Sequence, residues 1–461
     1  MLTSKDFNKI KLNLGKSERK QLNALLEKLF KGQSRKNVMD VLSAVIADSE
    51  AYAGQHELAE LGAFFSGMGK RQGYELRSQP VPTKIYGAKL IERGPIEQIE
   101  TASRLEVAVQ AALMPDAHQG YGLPIGGVLA VRDAVIPYGV GVDIGCRMCL
   151  SLYRLPPNYA DKNLSMMKKV LENCTRFGTG AAFERSGDHP VLEKSEFNDL
   201  PLLRRLKDRA AKQLGTSGSG NHFVDMGSFR LDAPHPELSI PPGGYFAVLS
   251  HSGSRNLGAE IASYYTKVAM GKRALPPEAK HLAWLELGEE EGQEYWRAMN
   301  LAGDYASACH HEIHRKIAKA LGEKTAAMIE NHHNFAWKET LADGTQAIVH
   351  RKGATPAGKG VLGIIPGTMV DNAYLVQGRG DADSLCSSAH GAGRLMSRSQ
   401  ALRTFTRKDI ANKLAEHRVE LIGSGADEAP MAYKSISEVI AEQSSLIDVL
   451  GVFKPRIVRM A

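Results

Sequence analysis

Apolar residues near the start of the chain recur with helical spacing. Leu22, Leu25, Leu26, Leu29 and Phe30 fall at i, i+3, i+4, i+7 and i+8, the stripe of an amphipathic helix. Gly32 interrupts the run, Ser34 follows as an N-cap, and Val38, Val41, Leu42, Val45 and Ile46 repeat the pattern. The two stripes predict a helical hairpin whose apolar face needs a partner surface. A third helix is expected over 56–67. Pro80 and Pro82 then break the periodicity. That predicts a boundary between an N-terminal helical extension, residues 1–82, and a larger part, residues 83–461.

Beyond residue 83 the texture changes. Short β-prone runs ("GGVLAV", "YFAVLS", "GTQAIVH", "VLGIIPG") alternate with glycine-rich turns. Helices are expected over 201–213, 256–272, 291–321, 399–416 and 434–448. Strands and helices do not alternate as regular βαβ units, so the class expected is α+β. No internal repeat is visible.

Charge sharpens this division. The net charge is +7, and residues 1–36 alone hold ten Lys/Arg against three Asp/Glu, which leaves the remainder formally neutral. A basic N-terminal arm is suited to phosphate backbones, although a solvated helix face carries the same composition. No apolar run approaches the ~20 residues of a membrane span. Met1 is followed by polar and basic residues, not an apolar leader, and the five cysteines are odd in number and sparse. The expectation is a cytoplasmic protein whose cysteines are thiols or metal ligands.

Candidate chemistry lies in glycine-framed stretches. "YGVGVDIGCRMC" sets Asp143 and Cys146 three apart; "GTSGSGNHFVD" carries Asn221 and His222; "LSHSGSRNLG" carries His251 and Arg255; "NHHNFAW" carries His333 and Asn334. Thiolate, imidazole and carboxylate together suit Mn, Fe or Zn. "SSAHGAGRLMSR" sets His390 among Ala389, Gly391, Ala392 and Gly393, a ring with little local cover and Arg394 close behind. "MPDAHQGYGLPIGG" places Asp116 and His118 before a tight turn, either supporting the metal ligands or shaping a cleft wall. "GATPAGKG" fails as a phosphate loop, because Gly360 stands where Ser/Thr is required. In "CHHEIHR" Arg315 stands where a zinc-protease helix has its second histidine; His310 and His314 then read as a helix face or a surface metal pair. Cys149, Cys174, Cys309 and Cys386 read as packing residues.

Nine stretches, "MPDAHQGYGLPIGGVLA", "GVGVDIGC", "GTSGSGNHF", "SHSGSRNLG", "HHN", "HRKGATPAG", "IIPGTM", "AHGAGRLMSR" and "DEAPMAYK", run in the order that resembles the RtcB family of RNA-splicing ligases, over about residues 110–455. The resemblance implies a layered α/β/β/α sandwich with a deep metal-binding cleft. It implies a GTP- and Mn²⁺-dependent ligase joining an RNA 3′-phosphate or 2′,3′-cyclic phosphate to a 5′-hydroxyl. Cys146 would bridge two Mn²⁺ ions, with Asp143 and His222 at one and His251 and His333 at the other. His390 would carry GMP. Asn221, Arg255, Asn334 and Arg394 would serve phosphates or the metal surroundings, and Phe223 and Tyr433 would flank the nucleotide. Pro366, Gly367, Thr368, Met369, Gly391, Ala392 and Gly393 would complete the nucleotide site, with Arg351 and Lys352 toward phosphate or RNA. RNA and GTP are the partners implied, with room for an accessory activator protein.

Three departures concern the base. Asp225 stands where the family usually has a guanine-reading glutamate, Thr368 where it has a serine, and the C-terminal "KPRIVRMA" where it ends in lysine-glycine, leaving Arg459 as the nearest basic residue. Two alternatives remain: a relative that guanylylates other nucleic-acid 3′-phosphate ends, and a metal-dependent phosphohydrolase.

Overall fold

The computed structural model describes the chain except residues 1, 11, 13, 15, 55–56, 68–71, 185–187 and 424–425. It separates into two compact units. One comprises Met1–Gly73 with Gly271–Ala274, the other Tyr74–Met270 with Leu275–Ala461.

In the smaller unit the two amphipathic stripes form helices Lys16–Leu29 and Arg35–Ala47. Ser34 caps the second by accepting from Asn37 N–H. The third helix spans Ala59–Gly67; its expected first residue, His56, lies outside the described residues. These helices cover one another. Leu22, Leu26, Leu42, Val45 and Leu61 share one buried core, so the stripes find their partner inside the unit.

The larger unit is α+β, built on two sheets. The eight-stranded sheet runs, in spatial order, Thr325–His332, Arg147–Tyr153, Gly243–Ser252, Phe223–Leu231, Ile447–Met460, Ala373–Gly378 and Leu362–Pro366, with Glu420–Ile422 pairing the long C-terminal strand in parallel. Its two edge strands meet where Ile364 N–H donates to Asn331 Oδ1 at 2.8 Å, so the sheet nearly closes on itself. The five-stranded sheet has the order Asn334–Thr340, Gln346–Lys352, Ile125–Val131, Ala108–His118 and Thr83–Ile85.

Side-chain alternation along the strands builds the layers. Val224, Met226, Phe246 and Val248 face helix Leu164–Cys174 and the C-terminal half of helix Glu290–Leu321. Ala112, Met114, Val128 and Ala130 of the smaller sheet meet Ile365 and Val376 of the larger. Ala111, Leu113, Leu129 and Val131 face a second helical layer through Ile99, Ile261, Tyr295 and Met299.

Strands cover the four runs expected to be strands, apart from Gly344, Thr345, Val361 and Gly367, and helices occupy Pro201–Gln213, Arg255–Lys272 and Glu290–Leu321 as expected. Two expectations are corrected. The single helix over 399–416 is two, Arg398–Thr404 and Arg407–His417, because Thr406 and Asp409 form a capping box that starts a new helix. The helix over 434–448 stops at Ala441; Ile447 and Val449 pair with Gly378 and Val376 in the larger sheet. Their apolar spacing fits both periods, and the neighbouring strand decides between them.

Candidate active site

Strand parity delivers His251 to the interior. Val248 and Ser250 point toward the helices, so Leu249 and His251 point into the cleft. By the same alternation Phe223 and Asp225 face inward from strand Phe223–Leu231, whereas Val224 and Met226 face out. Cys146 immediately precedes strand Arg147–Tyr153. His333 sits where the chain leaves one sheet, at His332, and enters the other, at Asn334. Its N–H donates to Cys146 O at 3.0 Å, and its carbonyl accepts from Gly353 N–H at 2.8 Å.

Five donors converge at this crossover. Cys146 Sγ lies 3.2 Å from His251 Nε2 and 3.5 Å from His222 Nε2; His251 Nε2 lies 3.2 Å from His333 Nε2; His222 Nε2 lies 2.9 Å from Asp143 Oδ2. His251 Nδ1 donates to Asn221 O at 2.9 Å, which leaves a bare lone pair on Nε2. Burial pushes His251 down to about 3 and His333 well below the usual imidazole range. Burial, with Asp143 beside it, pushes the Cys146 thiol up. Three imidazoles, a thiol and a carboxylate thus bring nitrogen, sulfur and oxygen ligand atoms within 2.9–3.5 Å of their neighbours. The donor set therefore fits a transition metal. Two glycines make room for it: a Cβ on Gly218 would collide with His222 Nδ1, and one on Gly253 with the Asp143 carboxylate.

His390 follows the short strand Ser387–Ala389, and its ring centroid lies 5.0 Å from that of His333. Its Nδ1 is 2.6 Å from Oδ2 of Asp116, a fully buried carboxylate that also accepts from the backbone N–H groups of His390, at 3.1 Å, and Gly391, at 3.2 Å. Nδ1 therefore carries the proton and Nε2 the lone pair. Gly393, at φ +75°, rests on the Asp116 backbone, where a Cβ would overlap Asp116 O. The small residues around His390 thus seat it on Asp116.

One cleft of about 1230 Å³ gathers most of the candidates: Asp143, Cys146, Asn221, His222, Phe223, Asp225, His251, His333, Asn334, 366–369, 390–394 and Tyr433. Asp225 is buried with Oδ1 unpartnered, and burial pushes its carboxyl well above the usual range. Asn334 braces the metal loop, donating to Asp143 O at 3.3 Å and accepting from Gly353 N–H at 2.8 Å. Thr368 Oγ1 donates to Asp371. Arg394 donates to Glu428 Oε2 at 2.7 Å and to the Tyr433 hydroxyl at 2.9 Å, and the Tyr433 hydroxyl in turn donates to Glu428.

Three candidates are not among the lining residues. Arg255 donates to Thr216 Oγ1 and Gly178 O. Arg351 is buried and spent on Glu339, Ser387 and Leu385 O. Lys352 Nζ donates to Tyr121 O at 2.7 Å and Tyr138 O at 3.2 Å, and burial lowers it to about 7. Arg459 is also turned away from the cleft: its guanidinium lies over Phe177, while Val458 and Met460 line the cavity.

His310 and His314 are not on a surface; both are fully buried beside Cys149. A hydrogen-bond ladder accounts for every ring nitrogen. Ser151 Oγ donates to His314 Nδ1, His314 Nε2 donates to Ser250 Oγ, Ser250 Oγ donates to His310 Nδ1, and His310 Nε2 donates to Ser252 O, over 2.6–3.1 Å. By contrast, Nδ1 of both His222 and His333 lacks a hydrogen-bond partner. Sequence reasoning missed Glu428, which its place in "DEAPMAYK" did not distinguish. It flagged Asp116 without connecting it to His390, 274 residues away.

A buried cysteine–histidine–carboxylate centre facing a carboxylate-held histidine across one cleft is the site of an enzyme. The chain matches the family described as tRNA-splicing ligase RtcB over residues 98–201 and 196–460. The RNA-splicing ligase RtcB of Escherichia coli K12 is 32% identical over 410 residues, 82% of this chain and 97% of that protein. The tRNA-splicing ligase RtcB of Thermococcus kodakarensis is 30% identical over 441 residues, 78% and 90% of the two chains. The RNA-splicing ligase RtcB of Mycobacterium tuberculosis is 32% identical over 426 residues, 76% and 96%. The chain belongs to the RtcB family and is a ligase. No helix among the described residues is long and apolar enough to cross a membrane.

Proposed function

We propose that this protein is a GTP- and Mn²⁺-dependent RNA ligase that joins a 3′-phosphate or 2′,3′-cyclic phosphate end to a 5′-hydroxyl end through a histidine–GMP intermediate. Residues 83–461 form the catalytic domain, and the setting is cytoplasmic RNA repair or tRNA splicing. The Asp116–His390 pair carries the reading: a carboxylate fixes the proton on Nδ1 and presents Nε2 as a neutral nucleophile beside the donor cluster. Asp143, Cys146, His222, His251 and His333 would hold the cations, which neutralise the triphosphate.

In this reading His390 Nε2 attacks the α-phosphorus of GTP, forming the N–P bond as the P–O bond to pyrophosphate breaks. The RNA 3′-phosphate oxygen then takes GMP from His390. The 5′-hydroxyl attacks the activated 3′-phosphorus and GMP leaves. Activation is needed because a 3′-phosphate lacks a good leaving group. A cyclic phosphate is opened by water to the 3′-phosphate first. Asp225, a buried carboxyl with an unpartnered oxygen, would accept from the N1–H and N2–H₂ edge of guanine.

The test is incubation with GTP labelled at the α-phosphate and Mn²⁺, with and without His390→Ala. Label retained by the wild type and lost in the variant supports the reading. Phosphate release without labelled protein points instead to a phosphohydrolase.

A further inference from the structure

We propose that Tyr121 is a stacking platform for a base of the RNA strand at the mouth of the cleft. The proposal rests on the RNA-ligase reading and adds a substrate subsite to it. Tyr121 is the most exposed large hydrophobic side chain among the described residues, at 69%, yet it lines the catalytic cleft. An aromatic ring this exposed ordinarily belongs to a mobile loop tip. Here the backbone beneath it is fastened from two sides. Lys352 Nζ donates to the Tyr121 carbonyl at 2.7 Å, and the adjoining Gly120 exchanges two hydrogen bonds with the Gln98 amide, at 2.6 and 3.0 Å.

The ring also has an aromatic base. Tyr138 and His281 stack on each other with centroids 5.2 Å apart, and Tyr121 stands edge-on to both, at 6.4 and 6.0 Å. The exposed Val142, next to Asp143, lines the same cleft. Lys352 also ties the Tyr138 carbonyl, and its stem packs under Gly141. One buried lysine thus couples the Tyr121 turn to the loop that carries Asp143. The platform is held on the approach to the donor cluster.

The occupant follows from the chemistry. A pre-positioned phenol ring with most of its surface open to water accepts a flat, apolar face, and every nucleobase offers one regardless of sequence. The nucleotide end of the cleft is built from other elements, with Phe223 and Asp225 on the larger sheet and Tyr433 beyond His390. A base on Tyr121 therefore belongs to RNA and not to the bound mononucleotide.

The experiment compares wild type with Tyr121→Ala, Tyr121→Phe and Tyr121→Trp, using RNA strands that carry 2-aminopurine at each terminal and penultimate position in turn. Tyr121→Ala should raise the KM for RNA about 5- to 150-fold. It should abolish the fluorescence quench at one of the probed positions and leave labelling of the protein by GTP without RNA unchanged. Phe and Trp should retain both KM and quench. Unchanged KM and quench in Tyr121→Ala overturn the platform while the ligase reading stands. An equal loss of RNA-free labelling in Tyr121→Ala overturns it as well, since the residue would then serve the donor cluster. A wild type that joins no RNA overturns the ligase reading, and the platform with it.

Discussion

His390 Nδ1 lies 2.6 Å from Asp116 Oδ2, a contact between residues 274 positions apart. The same oxygen holds the backbone N–H groups of His390 and Gly391. Asp116→Ala would leave these buried donors unpaired, at a cost of about 1–3 kcal/mol each, and release the ring's tautomer. Labelling by GTP should fall at least about 100-fold, as expected when a positioned nucleophile loses its orienting partner. Asp116→Asn keeps an acceptor and should retain more activity than Ala. Equal activity in wild type and Asp116→Ala, assayed well below both melting temperatures, would refute the positioning role.

Cys146 and Cys149 are both buried, but only Cys146 faces the cleft. Cys146→Ala should abolish both bound metal, read by elemental analysis, and labelling by GTP. Cys149→Ala removes a sulfur beside a ladder that is complete without it, so metal content and labelling should stay near wild type. Identical behaviour of the two variants would remove Cys146 from the metal site.

Asp225 and Arg459 separate in their effects on base choice. Asp225→Glu lengthens the carboxylate by one methylene toward the cleft and should widen the GTP/ATP labelling ratio. The full bidentate pair is worth about 1–3 kcal/mol, or roughly 5- to 150-fold. Arg459→Ala should leave the ratio unchanged, because its guanidinium lies over Phe177. A ratio that responds to Arg459 and not to Asp225 would exchange their roles.

Acid should destabilise the fold before carboxylates titrate. Burial lowers His350 from 6.5 to about 4, and its Nε2 accepts from Ile136 N–H at 2.9 Å, so the folded state needs the ring neutral. His314, lowered to about 3 by burial, adds to the effect. The unfolded chain takes up these protons below 6.5. Stability is therefore fully present above 6.5 and is lost as the pH falls toward 4, by up to about 1.4 kcal/mol per pH unit for each ring. Melting temperatures from pH 7.5 to 4.5 should show the fall, with a shallower slope in His350→Gln, and a slope equal to wild type would exclude His350 from the effect.

The basic N-terminal residues can be tested without cutting their core. Deleting residues 1–36 would remove Leu22 and Leu26 from beneath Leu42, Val45 and Leu61. Neutralising the exposed Lys20, Lys31 and Lys36 to Gln leaves that core intact. If these lysines contact RNA, the slope of log K against log salt should shrink by about 2–3. An unchanged slope assigns the charge to a solvated helix face.

Local chemistry was readable in the chain itself. The amphipathic stripes, the Ser34 cap, the long helix and the glycine-framed donors each depend on residues a few positions apart, and local spacing governs them. Partnership across the chain was not readable. Nothing near Asp116 in sequence points to His390, and Arg351 and Lys352 carry the charge of phosphate binders although tertiary packing spends it on Glu339 and on two carbonyls. Strand parity sends His251 into the cleft and Ser250 to the helix, and through Ser250 and Ser252 it turns His310 and His314 into a closed ladder. Sequence determines which groups are available, because side-chain chemistry is intrinsic. Which lone pairs stay free is decided only when distant strands bring their partners, because a buried polar group takes whatever donor or acceptor the fold sets beside it.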